Sequence, residues 1–99
     1  MRLSSEQIST IRKLTSQIAG ASARVWLFGS RVRDDLRGGD VDLLIALDSQ
    51  VLEPAQLSAR LAARVSRFMS GRRVDVLVRA PNLMHLPIHD VALAEGVLL

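Results

Sequence analysis

Leu27-Phe28-Gly29-Ser30, a charged loop, then Asp40-Val41-Asp42-Leu43-Leu44-Ile45: this run decides the fold. It reads as a strand, a tight Gly-Ser turn, a polar loop and a second strand that carries two aspartates. In the second strand Val41, Leu43, Ile45 and Leu47 alternate with Asp40, Asp42, Leu44 and Ala46. Period-2 alternation puts each set on its own face. The first set is all aliphatic, so it faces the core, and Asp40 and Asp42 project together from the other side. Two steps of strand rise separate them by roughly 7 Å. Carboxylates this close repel unless a cation sits between them. An all-oxygen site of this kind suits Mg²⁺.

Outward from that run, Arg24 to Phe28 forms the preceding strand. Gly29 lets the backbone approach a ligand closely, and Ser30 adds a hydroxyl donor at the turn. Arg31 and Arg33 stand beside this turn and are candidates for phosphate contact. Asp34, Asp35 and Arg37 read as a solvated loop. Trp26 has the parity opposite to Val25 and Leu27. It either lines the aspartate side of the sheet or simply packs there.

A first helix is expected over Ser4 to Ile18. Ser4 and Gln7 have the spacing of a capping box, and Ile8, Ile11, Leu14 (or Thr15) and Ile18 recur at helical spacing with Gly20 as the stop. A second helix is expected over Glu53 to Met69, with Pro54 in its first turn and Leu57, Leu61, Val65, Phe68 and Met69 as the buried stripe. Arg60, Arg64 and Arg67 form a basic stripe on it, which is a solvated face or a docking face for an acidic partner. Gly71 stops the helix. Arg73 to Arg79 then repeats the alternation of the second strand, with Val74, Val76 and Val78 inward and Asp75 outward. Three aspartates from two strands on one open face form a far more specific pattern than any of them alone. In the tail, Ile88 to Glu95 reads as a short helix with Pro87 at its start, and Val97 to Leu99 as a closing strand. His85 and His89 are four apart, but Pro87 between them breaks the helix that a shared metal needs. His89 is expected at the surface or in a cap.

The chain has 99 residues, which fits one domain over residues 1–99. Its apolar share of 48% is high for that size and leaves apolar area for a partner. The net charge of +3 is spread in ones and twos along the chain, so no direct nucleic-acid contact is expected. There is no cysteine, which excludes disulfides and zinc-thiolate sites. No apolar run approaches a membrane span, and the start of the chain has no signal-peptide core. A soluble, cytoplasmic protein is expected. The sequence does not set the oligomeric state.

Gly29-Ser30, nine intervening residues, then Asp40-x-Asp42 resembles the signature of the polymerase-beta-type nucleotidyltransferase superfamily. Asp75 is similar to its third carboxylate. The run from Leu27 to Leu44 and the ending Ala94-Glu95-Gly96-Val97-Leu98 resemble the minimal nucleotidyltransferases (MNT proteins). Asp34 and Gly39 depart from that pattern, standing where Gly and Ser are common. The resemblance implies an α/β (α+β) fold, a small mixed sheet with helices on one face and a nucleotide on the other. It implies that Gly29, Ser30 and neighbouring groups hold the triphosphate of ATP. It further implies that Asp40, Asp42 and Asp75 hold two Mg²⁺ ions, with Asp75 helping to deprotonate the acceptor hydroxyl. MNT proteins are commonly paired with helical HEPN-type toxins. The resemblance therefore implies either adenylylation of such a partner or its neutralisation by binding alone. A small-molecule acceptor such as an aminoglycoside fits less well, because enzymes of that kind carry a further helical domain.

Overall fold

The computed structural model describes residues 3–28 and 41–99. Its elements follow in the order α1 (Ser5–Ala19), β1 (Arg24–Phe28), β2 (Val41–Ala46), α2 (Pro54–Phe68), β3 (Val74–Arg79), α3 (Pro87–Glu95) and β4 (Val97–Leu98). The strands form one mixed sheet in the order β3-β2-β1-β4. β1 pairs antiparallel with β2 and with β4, whereas β2 and β3 run parallel and are joined through α2. Parallel neighbours need such a crossover, which is why a long helix separates the two strands that carry Asp42 and Asp75.

The helices begin where local chemistry dictates. Ser4 caps α1: its hydroxyl accepts from the Gln7 N–H at 3.1 Å, and its own N–H donates to Gln7 Oε1 at 2.9 Å. Leu3 precedes the cap and is buried with Ile8 in the core, the arrangement of a hydrophobic staple. Within α1, the buried Thr15 hydroxyl donates to the Ile11 carbonyl at 2.8 Å and so leaves no unsatisfied polar atom. Pro54 opens α2. At its other end Ser70, not Gly71, is the first residue to turn left-handed, with φ 61°, and the Gly71 N–H donates back to Ser66 O at 2.8 Å. That six-residue closure is a Schellman-type stop with serine in the position glycine favours.

α1 and α2 pack on one face of the sheet, against Val25, Leu27, Val41, Leu43, Ile45 and Val74. Ile11, Leu61 and Val65 from the helices are fully buried there. Phe68, expected in the buried stripe of α2, instead lies at the margin of that arc and is 38% exposed. Ala62 and Met69 take the flank, because the arc that meets the sheet is centred on the side of Val65. The opposite face carries α3, which contacts β1 and β2. Leu44 has the parity opposite to the main core and is still fully buried, as is Ala92 of α3. Asn82 ties the loop after β3 to the loop before α2. Its Oδ1 accepts from the Val51 N–H at 2.9 Å, and its Nδ2 donates to Val51 O at 2.8 Å.

Candidate active site

Strand register arranges the α3-side face as rows. Phe28, Asp42 and Asp75 are direct neighbours across β1, β2 and β3, followed by Trp26, Leu44 and Leu77, then Arg24, Ala46 and Arg79. Residues paired across a sheet project to the same side, so each row is a physical neighbourhood. Leu44 and Ala46 are buried, Asp42 is half-buried and Asp75 is exposed. Among the described residues α3 thus covers the sheet around Leu44, and the Phe28–Asp42–Asp75 end stays accessible at Asp75. Gly96 makes this packing possible. An added Cβ there would collide with the Ala92 carbonyl oxygen and sit 3.0 Å from the Leu27 carbonyl oxygen.

The two carboxylates of the row lie on adjacent strands, which run about 4.8 Å apart. Arg73 Nε stands 3.6 Å from Asp75 Oδ1, a long contact between side chains that are 74% and 49% exposed. Phe28 lies across β2 from Asp75, and sequence reading gave it no role of its own. Its parity with Trp26, two residues earlier, is the signal that places it on this face. Asp40, Gly29, Ser30, Arg31 and Arg33 lie outside the described residues. Of the sequence-derived site, the structure therefore brings together Asp42 and Asp75. A comparison with protein families matches the nucleotidyltransferase domain over residues 8–95, a span that includes both aspartates.

The chain belongs to the nucleotidyltransferase domain family.

The match spans β1 to α3, including both aspartate-bearing strands. A comparison with curated proteins finds no match. Members of this family transfer nucleotidyl groups, typically from a nucleoside triphosphate with Mg²⁺. The donor set of this nucleotidyltransferase domain fits such a cation: Asp42 and Asp75 offer hard oxygen ligands from rigid, hydrogen-bonded strands at matched register. No group of three or more metal-binding side chains occurs among the described residues, and Asp40 lies outside them. No helix among the described residues is long and apolar enough to cross a membrane.

Two other features of the nucleotidyltransferase domain compete for attention. A cleft of about 490 Å³ opens between α1 and the β1–β4 edge, with Arg12, Lys13 and Arg24 in its lining. Among the described residues its lining has basic but no acidic side chains, and it lies at the edge of the sheet away from β3 and Asp75. The second feature is the histidine pair. His89, expected at the surface or in a cap, is a cap but is buried, only 4% exposed. Its Nδ1 accepts from the Leu86 N–H at 3.0 Å at the start of α3. The side chain turns inward at the third position of α3, where it borders Val76, Leu77 and Val78 of β3. His85 Nε2 meets Asp90 Oδ1 at 2.7 Å, and the two imidazole rings lie 5.3 Å apart.

Burial lowers the pKa of His89 from the ordinary histidine value, and the charges of His85 and Arg79 lower it further, against an opposing pull from Asp90. The unfolded chain then binds more protons than the folded one below about pH 6.5, the free histidine value. Stability is complete above that pH and falls as pH drops towards the folded pKa. Protonation of Nδ1 also removes the cap acceptor. We expect the Tm to fall between pH 7 and pH 5, and the fall to be shallower in His89→Gln, whose amide oxygen still accepts from Leu86. Equal slopes in thermal melts of the two proteins would remove His89 as the cause.

Proposed function

We propose that this domain transfers AMP from ATP to a hydroxyl group on a helical, HEPN-type protein partner, as the antitoxin of a toxin–antitoxin pair. The reading is supported by the family match together with the placement of Asp42 beside Asp75 at the open end of the sheet. A domain that only bound a partner would need no paired carboxylates there.

Asp40, Asp42 and Asp75 are the residues proposed to hold Mg²⁺, two ions in the full site. The bound cation supplies charge neutralisation for the triphosphate and lowers the cost of forming the attacking oxyanion. Asp75 accepts the proton of the acceptor hydroxyl. The acceptor oxygen forms a bond to the α-phosphorus, the bond from that phosphorus to the bridging oxygen breaks, and pyrophosphate leaves with the electron pair. Ser30 and the backbone at Gly29 donate to phosphate oxygens, and Arg31 and Arg33 add charge-assisted contacts. Phe28 bounds the site on the side of β1.

The partner follows from what the surface offers. Met84, Leu86, Ile88 and Val91 are exposed apolar residues in and before α3. On α2, Arg60, Arg64 and Arg67 are exposed and form no salt bridge among the described residues. The α2 arginines suit an acidic partner surface, and the exposed residues of and before α3, on the opposite face, suit an apolar one. A tyrosine beside the partner's RNA-cleaving site is the preferred acceptor, since added bulk and negative charge there would block RNA. The domain should be incubated with the neighbouring gene's product, ATP and Mg²⁺, and intact masses measured. The partner is expected to gain one or more AMP units, and Asp40→Asn is expected to prevent the gain. Neutralisation without any mass change, unaffected by Asp40→Asn, would leave a purely binding antitoxin.

A further inference from the structure

We infer that β3 is a self-complementary edge, through which two copies of this chain pair antiparallel about a two-fold axis at Leu77. Among the described residues β3 is the outermost strand on its side of the sheet. The Val41 N–H donates to Arg73 O and the Leu47 N–H to Arg79 O, both at 2.9 Å. Backbone groups alternate in direction along a strand. Arg73, Asp75, Leu77 and Arg79 therefore aim theirs at β2, and Val74, Val76 and Val78 aim theirs away from it. Edge strands are commonly protected by charged side chains, proline or a bulge. β3, Val-Asp-Val-Leu-Val-Arg, has no proline, pairs with β2 in unbroken register, and carries charges of opposite sign, Asp75 and Arg79, that suit each other across a symmetric pair. An open groove of about 280 Å³ runs along it, with Pro54, Ala55 and Ser58 on one bank and Leu83, Met84 and Leu86 on the other. The α2 bank is made of small side chains, and on the other Met84 is 78% exposed.

The sequence of β3 selects the occupant. With the axis at Leu77, each Leu77 meets its counterpart and Val76 meets Val78 of the second copy. Asp75 meets Arg79 of the second copy, twice by symmetry, so pairing and the proposed Mg²⁺ compete for this carboxylate and the pair belongs to the nucleotide-free state. Val76 and Val78 have outward backbone groups, so they become the hydrogen-bonded pairs. Asp75 and Arg79 become the non-hydrogen-bonded pairs, where opposed side chains approach most closely. An axis at Val76 would set Arg73 against Arg79 and Asp75 against Leu77. An axis at Val78 would set Arg79 against Leu77 and Asp75 against Pro81. An axis at Val74 would also set Arg73 against Asp75, but it would put Arg72 against Val76 and leave most of β3 unpaired, whereas the Leu77 axis pairs the strand over Asp75–Arg79, apolar with apolar and acid with base. Arg79 forms no salt bridge among the described residues, and the contact of Asp75 with Arg73 is long and exposed. The product is a continuous eight-stranded sheet.

Sedimentation equilibrium of the whole chain, without nucleotide or divalent cation, tests this independently of the nucleotide reading. The wild type is expected to move with concentration from 10.8 kDa towards twice that mass. Arg79→Asp and Asp75→Arg each set like charges face to face and are expected to stay monomeric, with circular dichroism showing both folded. Mixed together, the two variants are complementary at both charge positions and are expected to form a heterodimer. A wild type that stays at 10.8 kDa up to millimolar concentration would overturn the inference. A dimer that neither variant weakens, or a mixture of the variants that stays monomeric, would overturn it equally.

Discussion

Asp42→Asn is expected to abolish the thermal stabilisation that Mg²⁺ and ATP give the wild type, and to lower transfer by on the order of 10²-fold or more. Changes one shell removed from a metal already cost about 10–100-fold, and Asp42 is proposed as a direct ligand. A ligand that binds only the folded state at 100 times its Kd stabilises by about 2.7 kcal/mol. For a domain of this size that is a Tm rise of roughly 10 °C or more, since 1 kcal/mol moves Tm by about 4–8 °C. The variant without ligand should melt within a few degrees of wild type. Asp42 lies on the face away from the main core and is half-buried, and asparagine has nearly its shape. Differential scanning fluorimetry with and without Mg²⁺ and ATP checks both halves. An Asp42→Asn protein that keeps the full nucleotide-dependent rise would remove the residue from the site.

Gly96→Ala is expected to lower stability by about 1–3 kcal/mol, the usual cost of forcing extra atoms into a closed packing. The reason lies in what surrounds the glycine. Its N–H donates to Ala92 O at 2.8 Å, and an added methyl would overlap that same oxygen while pressing on Leu27 O and the Phe28 Cβ. Two of these obstacles are backbone oxygens, which cannot swing aside as a flexible side chain can. Relief requires α3 to lift from the sheet, and α3 is what buries Leu44 and Ala92. Lifting it also disturbs Phe28, beside Asp42. The variant should therefore lose nucleotide affinity as well as stability in urea unfolding. Unchanged unfolding midpoints would mean that α3 does not close on β1 as described.

Much of this arrangement was legible in the sequence because its signals are local. β1 lies at Arg24–Phe28 as read, and Ser4 and Gln7 form the reciprocal cap their spacing implied. The alternation in β2 and β3 placed Asp42 and Asp75 on a common face, and the observed register makes them direct neighbours. Alternation gives parity but not register. Which residue stands beside which depends on the crossover through α2, and no local pattern encodes that. α3 was legible as a helix through Pro87, but not its position on the aspartate side of the sheet. Its exposed Ile88 and Val91 and its buried His89 and Ala92 give no single apolar stripe. A periodicity argument then has no preferred face to report. Phe68 was misplaced for a related reason: position in an apolar stripe does not say where the sheet ends beneath it. The turn and loop residues Gly29, Ser30, Arg31 and Arg33, together with Asp40, rest on the sequence pattern and on the family resemblance.

Nucleotide and metal are expected to bind at the Phe28–Asp42–Asp75 end of the sheet. Titration of the ¹⁵N-labelled domain with ATP and Mn²⁺, a paramagnetic substitute for Mg²⁺, locates the metal directly through amide line broadening. The account predicts that broadening begins at Phe28, Asp42 and Asp75 and leaves Arg12, Ser16 and Leu98 of the α1–β4 cleft sharp. Broadening that begins in that cleft, or none at saturating nucleotide, would contradict it.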